Sequence, residues 1–374
     1  MKELVTIMSI IREVEDPRID RTKLHDLEAI ILIALCSSVC GMTGWEEFEA
    51  FGNAKIDWFR KFTPLTNGIP SHDTFRRVFE RINPTHLQKV LADWIKTLDI
   101  CLEGKVVAID GKSLRSSFDK TSNLAPLHTI SAWAVDSRLV LGECEVDKKE
   151  NEITKIPALL ELLELKGAIV TIDAMGCQKE IAKIIVEKNK ADYVLALKKN
   201  HPGLYDEVQL LFKSAQYNLG IKTDSYESID KGHGRIETRT CICLEVGKWL
   251  GDAGSGWTKF NTVAKLISKR KIKGKETEQI RYFISSLPLD APKIAKAIRD
   301  HWGIENTLHW SLDVVFGEDS IHIRKDNSPK NLSIIRRIAF SLAKPRTPEK
   351  MTTKRAQLWS ILDPNFADRH FFRV

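Results

Sequence analysis

The sequence predicts a mixed α/β protein, and three features of the 374-residue chain lead to this prediction. Apolar residues recur at helical spacing in residues 1–100, which predicts a helical N-terminal domain. Short β-branched runs alternate with amphipathic helices in residues 101–221, as in a sheet covered by helices. Residues 222–287 are an all-β segment broken by glycine, and residues 288–374 are again mainly helical.

The helix signals are clearest in the N-terminal region. Ser71 is placed to cap a helix whose apolar face includes Phe75 and Phe79, and a further helix is predicted over residues 85–98. Such a unit could present a helix to nucleic acid or could be a plain structural bundle. No helix-turn-helix pattern is clear enough to decide between them.

The order predicted after residue 104 is β-β-β-α-β-α-β, followed by a helix, three strands and a long interrupted helix. The strands are predicted over residues 105–110, 129–135, 139–146, 168–173, 192–197, 236–246, 260–272 and 279–287. The helices are predicted over residues 153–165, 179–188, 203–215 and, with breaks, 292–343.

Two aspartates end predicted strands and form the start of a candidate site. Asp110 and Asp173 each follow an apolar run and precede small residues. If these strands are parallel neighbours, their carboxyl ends lie at the same edge of the sheet. Two carboxylates held together repel each other unless a cation bridges them, and Mg²⁺ suits such oxygen ligands. Either aspartate could instead be an ordinary cap or turn residue.

Glu305 is the third candidate acid. The 3–4 spacing places Glu305 on one helix face between His301 and Leu308, within a mainly apolar stripe. A carboxylate there needs a partner, which could be a metal ion or a neighbour such as Arg299. Two Mg²⁺ ions held by Asp110, Asp173 and Glu305 would activate water and stabilise a leaving oxygen.

The net charge of +7 is concentrated rather than spread. Residues 324–355 contain ten basic and two acidic residues, and residues 265–273 contain five basic residues and no acid. Such clusters are typical of proteins that bind polyanions, although either could also be a solvated helix face or loop.

Cysteine usage and hydropathy favour a reduced, cytoplasmic protein. The seven cysteines show no disulfide or zinc-site spacing and are expected to be buried thiols. The N-terminal residues include acids that a signal peptide would lack, and the most apolar run, residues 29–39, is shorter than a membrane helix.

Seven stretches of the chain, in order, are similar to the DDE transposases of insertion sequences, in particular the H-repeat-associated proteins of the ISAs family. They are GIPSHDTFRRVF (68–79), AIDGKSLR (108–115), TIDAMGCQ (171–178), LALKKNH (195–201), GHGRIETR (232–239), HWGIENTLHW (301–310) and LDVVFGEDS (312–320). The resemblance implies a ribonuclease-H-like core, with Asp110, Asp173 and Glu305 as its first, second and third acids. It also implies that residues 222–287 are an insertion between the second acid and the final helices.

The activity implied is that of a DNA transposase that nicks terminal inverted repeats and joins the freed 3′-hydroxyl to target DNA. The implied cofactor is a pair of Mg²⁺ or Mn²⁺ ions. The implied partner is double-stranded DNA, whose paired ends a homodimer would bind. Two alternatives remain. One is a ribonuclease-H-like nuclease without strand transfer, and the other is a catalytically silent DNA-binding remnant of a mobile element.

Several polar residues near these motifs are predicted DNA contacts. The broader group carries a Tyr-Arg-Glu-Lys pattern around its third acid, and this chain has Ile298, His301 and Leu312 at the other three positions. Trp302 and Trp310 could stack on a base or pack in the core. The predicted contacts are Lys112, Arg115, Lys198, Lys199, Asn200, His233, Arg235, Arg299, His301 and Asn306.

Overall fold

A computed structural model gives the fold of most of the chain. It describes residues 2–114, 126–146, 150–217, 220–232, 234–247, 249–272, 274–320, 322–363 and 365–372. Arg115 and His233, two of the predicted DNA contacts, and Lys273 of the second basic cluster lie outside these ranges. Within them, no helix is both long and apolar enough to span a membrane.

The secondary structure follows the predicted order, except that the β-rich segment has four strands where three were predicted, because its exposed edge strand β6 lacks an apolar pattern. The α-helices of the described ranges are α1 (Lys2–Ile11), α2 (Leu27–Val39), α3 (Trp45–Ala54), α4 (Ile56–Phe59), α5 (His72–Arg81), α6 (Pro84–Thr97), α7 (Glu152–Glu161), α8 (Lys179–Lys183), α9 (Pro202–Ala215), α10 (Ala291–Gly303), α11 (Ser328–Ala343) and α12 (Thr353–Leu362). The strands are β1 (Val106–Leu114), β2 (Leu127–Ala134), β3 (Leu139–Val146), β4 (Ile169–Ile172), β5 (Asp192–Leu197), β6 (Thr223–Gly232), β7 (Arg235–Glu245), β8 (Thr262–Ile272) and β9 (Lys275–Ser285).

All nine of these strands form one sheet with the order β3-β2-β1-β4-β5-β9-β8-β7-β6. Strands β1, β4 and β5 are parallel, and the other neighbouring pairs are antiparallel. Strand β9 pairs with β5, with Val194 opposite Ser285. The β-rich segment therefore continues the central sheet.

Strand β1 is longer than predicted. It continues past Asp110 to Leu114 because β2 remains paired with it, from Asp110 opposite Ser131 to Leu114 opposite Leu127. The parallel pairing with β4 stops earlier, where Ile109 lies opposite Ile172. Asp110 therefore lies within a strand, at the point where the neighbouring strand ends.

Helix α10 packs across one face of the sheet. The buried face of α10 includes Ile294 and Ile298, which cluster with Val106, Ile169 and Val194 of the central strands. Helix α11 contacts β3 and also the N-terminal helices α2, α5 and α6. Apolar residues of these N-terminal helices belong to the same buried cluster as those of α11.

The chain that follows α10 does not keep the regular α-helical spacing. Residues Ile304–His309 and Ser311–Val315 form π-helical turns, which take more residues per turn than an α-helix. As a result Ile304, rather than Glu305, occupies the buried stripe with Leu308, and Glu305 is exposed. The prediction that Glu305 lies in the apolar stripe was wrong for this reason.

Candidate active site

The two aspartates lie side by side at the end of the parallel strands. Because Ile109 pairs with Ile172, the next residues of β1 and of the chain after β4 are Asp110 and Asp173. Alternation along a strand puts Asp110 on the same sheet face as Val106, which is the face that α10 covers. The Asp173 carboxylate accepts hydrogen bonds from the backbone amides of Met175 (3.0 Å) and Gly176 (3.4 Å).

Glu305 joins this pair from the end of α10. Burial, and then the negative charges of Asp173 and Glu305, raise the pKa of Asp110 to about 7. Asp173 and Glu305 are therefore both close enough to Asp110 for their charges to act on it. Among the described residues, no three Asp, Glu, His or Cys side chains converge tightly enough to form a ready-made metal cage.

Two histidines flank the acids in neutral form. His309 Nδ1 lies 3.8 Å from the Asp110 carboxylate, and burial together with the charges of Lys112 and Arg337 lowers the pKa of His309 to about 3. Thr171 of β4 hydrogen-bonds to His301 Nδ1 at 2.9 Å, and burial lowers the pKa of His301 to about 4. His301, a predicted DNA contact, therefore adds no positive charge to the site at neutral pH.

Lys112, another predicted DNA contact, points into the protein. It lies two residues after Asp110 on the same face of β1, and only 8% of its side chain is exposed. Its ammonium group binds the carboxylates of Asp313 and Glu318. The structure thus places Lys112 in an internal ion network, because these carboxylates, distant in sequence, fold over it.

The same network contains Arg337 of α11, which is fully buried. Its guanidinium binds Glu318 and, on β3, Glu143, both at 2.9 Å. Although burial opposes ionisation, Arg337 and Lys112 hold the pKa of Glu318 well below its ordinary value. Since Arg336 is also buried, part of the predicted basic surface of residues 324–355 is internal charge.

The other described DNA-contact candidates gather around two neighbouring cavities. A cavity of about 730 Å³ lies between α10 and one face of strands β6–β9, and Arg235, Arg299 and Asn306 line it. A second cavity, of about 540 Å³, is lined by Lys198 and Lys199, which follow β5. Asn200 donates a hydrogen bond of 2.7 Å to the carbonyl of Ala174, so it ties its loop to the one after Asp173.

Sequence reasoning missed four residues of this region: Arg281, His309, Glu318 and Arg337. Glu318 and His309 stood inside motifs that resemble the transposases, but nothing local distinguished them from surface residues. Arg281 lies in an alternating strand pattern, and its neighbour Trp302 is on a different element. The sequence suggests that Arg337 belongs to a basic surface, because its buried partners are far away in sequence.

Comparison with known proteins identifies the family of this chain. The "Transposase DDE domain" family model matches residues 102–342, and the "DDE_Tnp_1-associated" model matches residues 8–95. The Escherichia coli (strain K12) protein named "H repeat-associated putative transposase YhhI" is 38% identical over 97% of both chains. YncI of Escherichia coli O157:H7, also named as a transposase, is 37% identical over 90% of this chain and 87% of its own.

Among solved structures, the chain is similar to the piggyBac transposase in a cryo-EM synaptic complex with hairpin DNA. That likeness covers 98% of this chain and 78% of the other, with a TM-score of 0.44 and 15% identity. The family assignment depends on the family models and the relatives. On those matches, the chain belongs to the DDE transposase family and is a DNA transposase.

Proposed function

We propose that this transposase cuts DNA at the ends of an insertion sequence and joins the freed 3′-hydroxyl to target DNA, with Asp110, Asp173 and Glu305 as its catalytic carboxylates. The observation that supports this most is the position of Asp110 beside Asp173 where the parallel pairing of β1 and β4 ends. There burial, and then the charges of Asp173 and Glu305, raise the pKa of Asp110. Three carboxylates held at the end of parallel strands are an unfavourable arrangement without a cation.

The donor set fits a pair of Mg²⁺ or Mn²⁺ ions. All three side chains supply oxygen ligands, and Asp110 and Glu305 reach solvent, so water and phosphate oxygens could complete the coordination. When bound, two such ions would lower the pKa of the attacking hydroxyl and stabilise the leaving oxygen. Cation binding would also stabilise the ionised form of Asp110.

The core proposed here is of the ribonuclease-H-like type. Strands β3-β2-β1-β4-β5 would form it, α10 and α11 would cover the site face, and β6–β9 would be the insertion between the second and third acids. In this proposal the N-terminal helices recognise the DNA ends, and a homodimer binds the two ends as a pair.

The chain's own residues would hold the DNA backbone around the acids. Lys198 and Lys199 lie beyond β5, while Arg299 and Asn306 lie on either side of Glu305 along the chain. Neutral His309 packs beside Asp110 and adds no competing positive charge. Lys112 is not among these contacts, since its ammonium group is bound to internal carboxylates.

The test uses duplexes that carry the inverted repeat read from the DNA flanking the gene. We expect the full chain with Mg²⁺ or Mn²⁺ to give 3′-end cleavage and strand-transfer products, and Asp173→Ala to give neither. Asp136→Ala, which removes an exposed carboxylate in the β2–β3 turn, is the matched control and should behave as wild type. Equal cleavage by wild type and Asp173→Ala would exclude catalysis at these acids.

The same assay separates the two alternatives. Cleavage without joined products would identify a nuclease that lacks strand transfer. Binding with no cleavage by the wild-type chain would identify a silent remnant. Sequencing the flanking DNA provides an independent check, since intact inverted repeats with a target duplication indicate an element that moved recently.

A further inference from the structure

The two cavities share three lining side chains, Gln279, Arg281 and Trp302. Arg281 of β9 and Trp302 of α10 line both the 730 Å³ and the 540 Å³ cavity. The Arg281 guanidinium lies over the Trp302 ring, 5.1 Å from its centroid. A continuous groove therefore leads from the α10 side of strands β6–β9, past this pair, to Lys198 and Lys199.

Arg281 differs from Arg239, Arg270 and Arg299 of this groove because no carboxylate of the described residues lies within salt-bridge distance of it. On the same sheet face, Arg239 binds Asp230 and Glu237, and Arg270 lies 3.6 Å from Glu237. Among the described residues, Arg281 makes no salt bridge, and its buried Nε has no hydrogen-bond acceptor. An unmatched, half-buried guanidinium with a free donor is a site prepared for an anion.

The surroundings of Arg281 would favour such an anion further. Burial, and then the charge of Arg239, lower the pKa of Arg281, although the charges of Glu237 and Glu305 act in the opposite direction. A phosphate bound at the guanidinium would stabilise its cation. The Trp302 ring makes a cation–π contact with the guanidinium, which helps to hold this group in the groove.

We propose that Arg281 binds a backbone phosphate of a single DNA strand that runs along this groove between the β6–β9 face and Lys198–Lys199. Cavities of this size hold small molecules or a short piece of one strand, whereas a duplex needs a far wider surface. The inference rests on the proposed function, because it adds a contact for the DNA on which the chain is proposed to act.

Binding of a fluorescein-labelled single-stranded oligonucleotide of mixed sequence, measured in EDTA over a range of salt concentrations, tests this site. Loss of one phosphate contact lowers the slope of log K against log salt by about 0.7 for single strands. We expect that change, with several-fold weaker binding, for Arg281→Met. Arg281→Lys should keep the wild-type slope, because it keeps the charge.

Lys222→Met is the matched control, since it removes one exposed cation near the start of β6, paired with Glu245 at 3.0 Å. Its slope should equal that of wild type. A wild-type slope for Arg281→Met, or no binding of the single strand by the wild-type chain, would overturn the assignment. Since EDTA removes catalysis from the assay, failure of DNA cleavage leaves this result intact, and the two proposals fail separately.

Discussion

Asp110 is a residue whose ionised form is unfavourable in the folded protein. Its carboxylate is 20% exposed, and the charges of Asp173 and Glu305 act on it. In the unfolded chain an aspartate has a pKa of about 3.9, so its ionised form is much less favourable in the folded protein. A bound metal ion would stabilise the ionised carboxylate of Asp110, which would serve as one of its ligands.

The first prediction is that Asp110→Asn stabilises the metal-free protein in a pH-dependent manner. Because the folded pKa is above the unfolded one, the wild type loses stability as the pH rises from about 3.9 to about 7. We expect Asp110→Asn to be more stable by up to about 4 kcal/mol near pH 8, and by about a third of that near pH 5. Chemical unfolding in EDTA measures both differences.

Adding Mg²⁺ gives the control. It should raise the unfolding midpoint of the wild type and leave Asp110→Asn nearly unchanged, since the variant lacks one ligand. A stability difference that stays the same between pH 5 and pH 8 would contradict the raised pKa of Asp110.

At the residue scale, the sequence predicted that Asp110 and Asp173 follow apolar strand residues, but not the ion network that holds Lys112. Asp110 and Asp173 could be identified because each follows an apolar run whose local pattern is typical of a strand. The partners of Lys112 lie 201 and 206 residues away, so no local pattern separates it from a surface lysine. Only the packing of the chain after α10 against β1 shows that its charge is internal.

At the level of elements, prediction worked where one face of a strand or helix is buried. Strand β5 has the predicted bounds, whereas β6 was not predicted because it is an edge strand with almost no buried side chain. The π-helical turns after α10 were also missed. Helical spacing assumes regular turns, and here the wider turns rotate Glu305 out of the apolar stripe.

Gly303 controls how closely this segment approaches the sheet. A Cβ at Gly303 would lie 2.8 Å from the ring of Trp133, which is buried in β2 and cannot move aside easily. The second prediction is that Gly303→Ala displaces Glu305 and lowers strand cleavage by up to about 100-fold. Overpacking should also cost about 1–3 kcal/mol of stability. Cleavage rates and chemical unfolding measure the two effects.

Gly203 near the start of α9 provides the matched control, because a Cβ there meets nothing within 4 Å. Gly203→Ala should retain wild-type cleavage and gain up to about 1 kcal/mol, as alanine favours a helix. Wild-type cleavage by Gly303→Ala would show that the contact with Trp133 does not position Glu305.

At the scale of the whole molecule, the N-terminal helices and the catalytic region share one core. Every residue of α2 except Glu28 is buried, so this helix has no face for solvent. In α11, only Pro329 and Lys330 are not buried. The side chain of Asn331 donates hydrogen bonds to the carbonyls of Phe79 (2.7 Å) and Ile82 (2.9 Å), where α5 ends.

The third prediction follows from this shared core: residues 101–374 expressed alone will not reach the native state. Without α2, α5 and α6, one side of α11 would expose apolar residues, and exposed patches of that kind lead to aggregation. Co-expression with residues 1–100 should restore a monodisperse complex, because it replaces the missing side of the core. Size-exclusion chromatography and thermal unfolding compare the fragment, the complex and the full chain. A monodisperse fragment that melts within a few degrees of the full chain would show that the N-terminal helices are an independent domain.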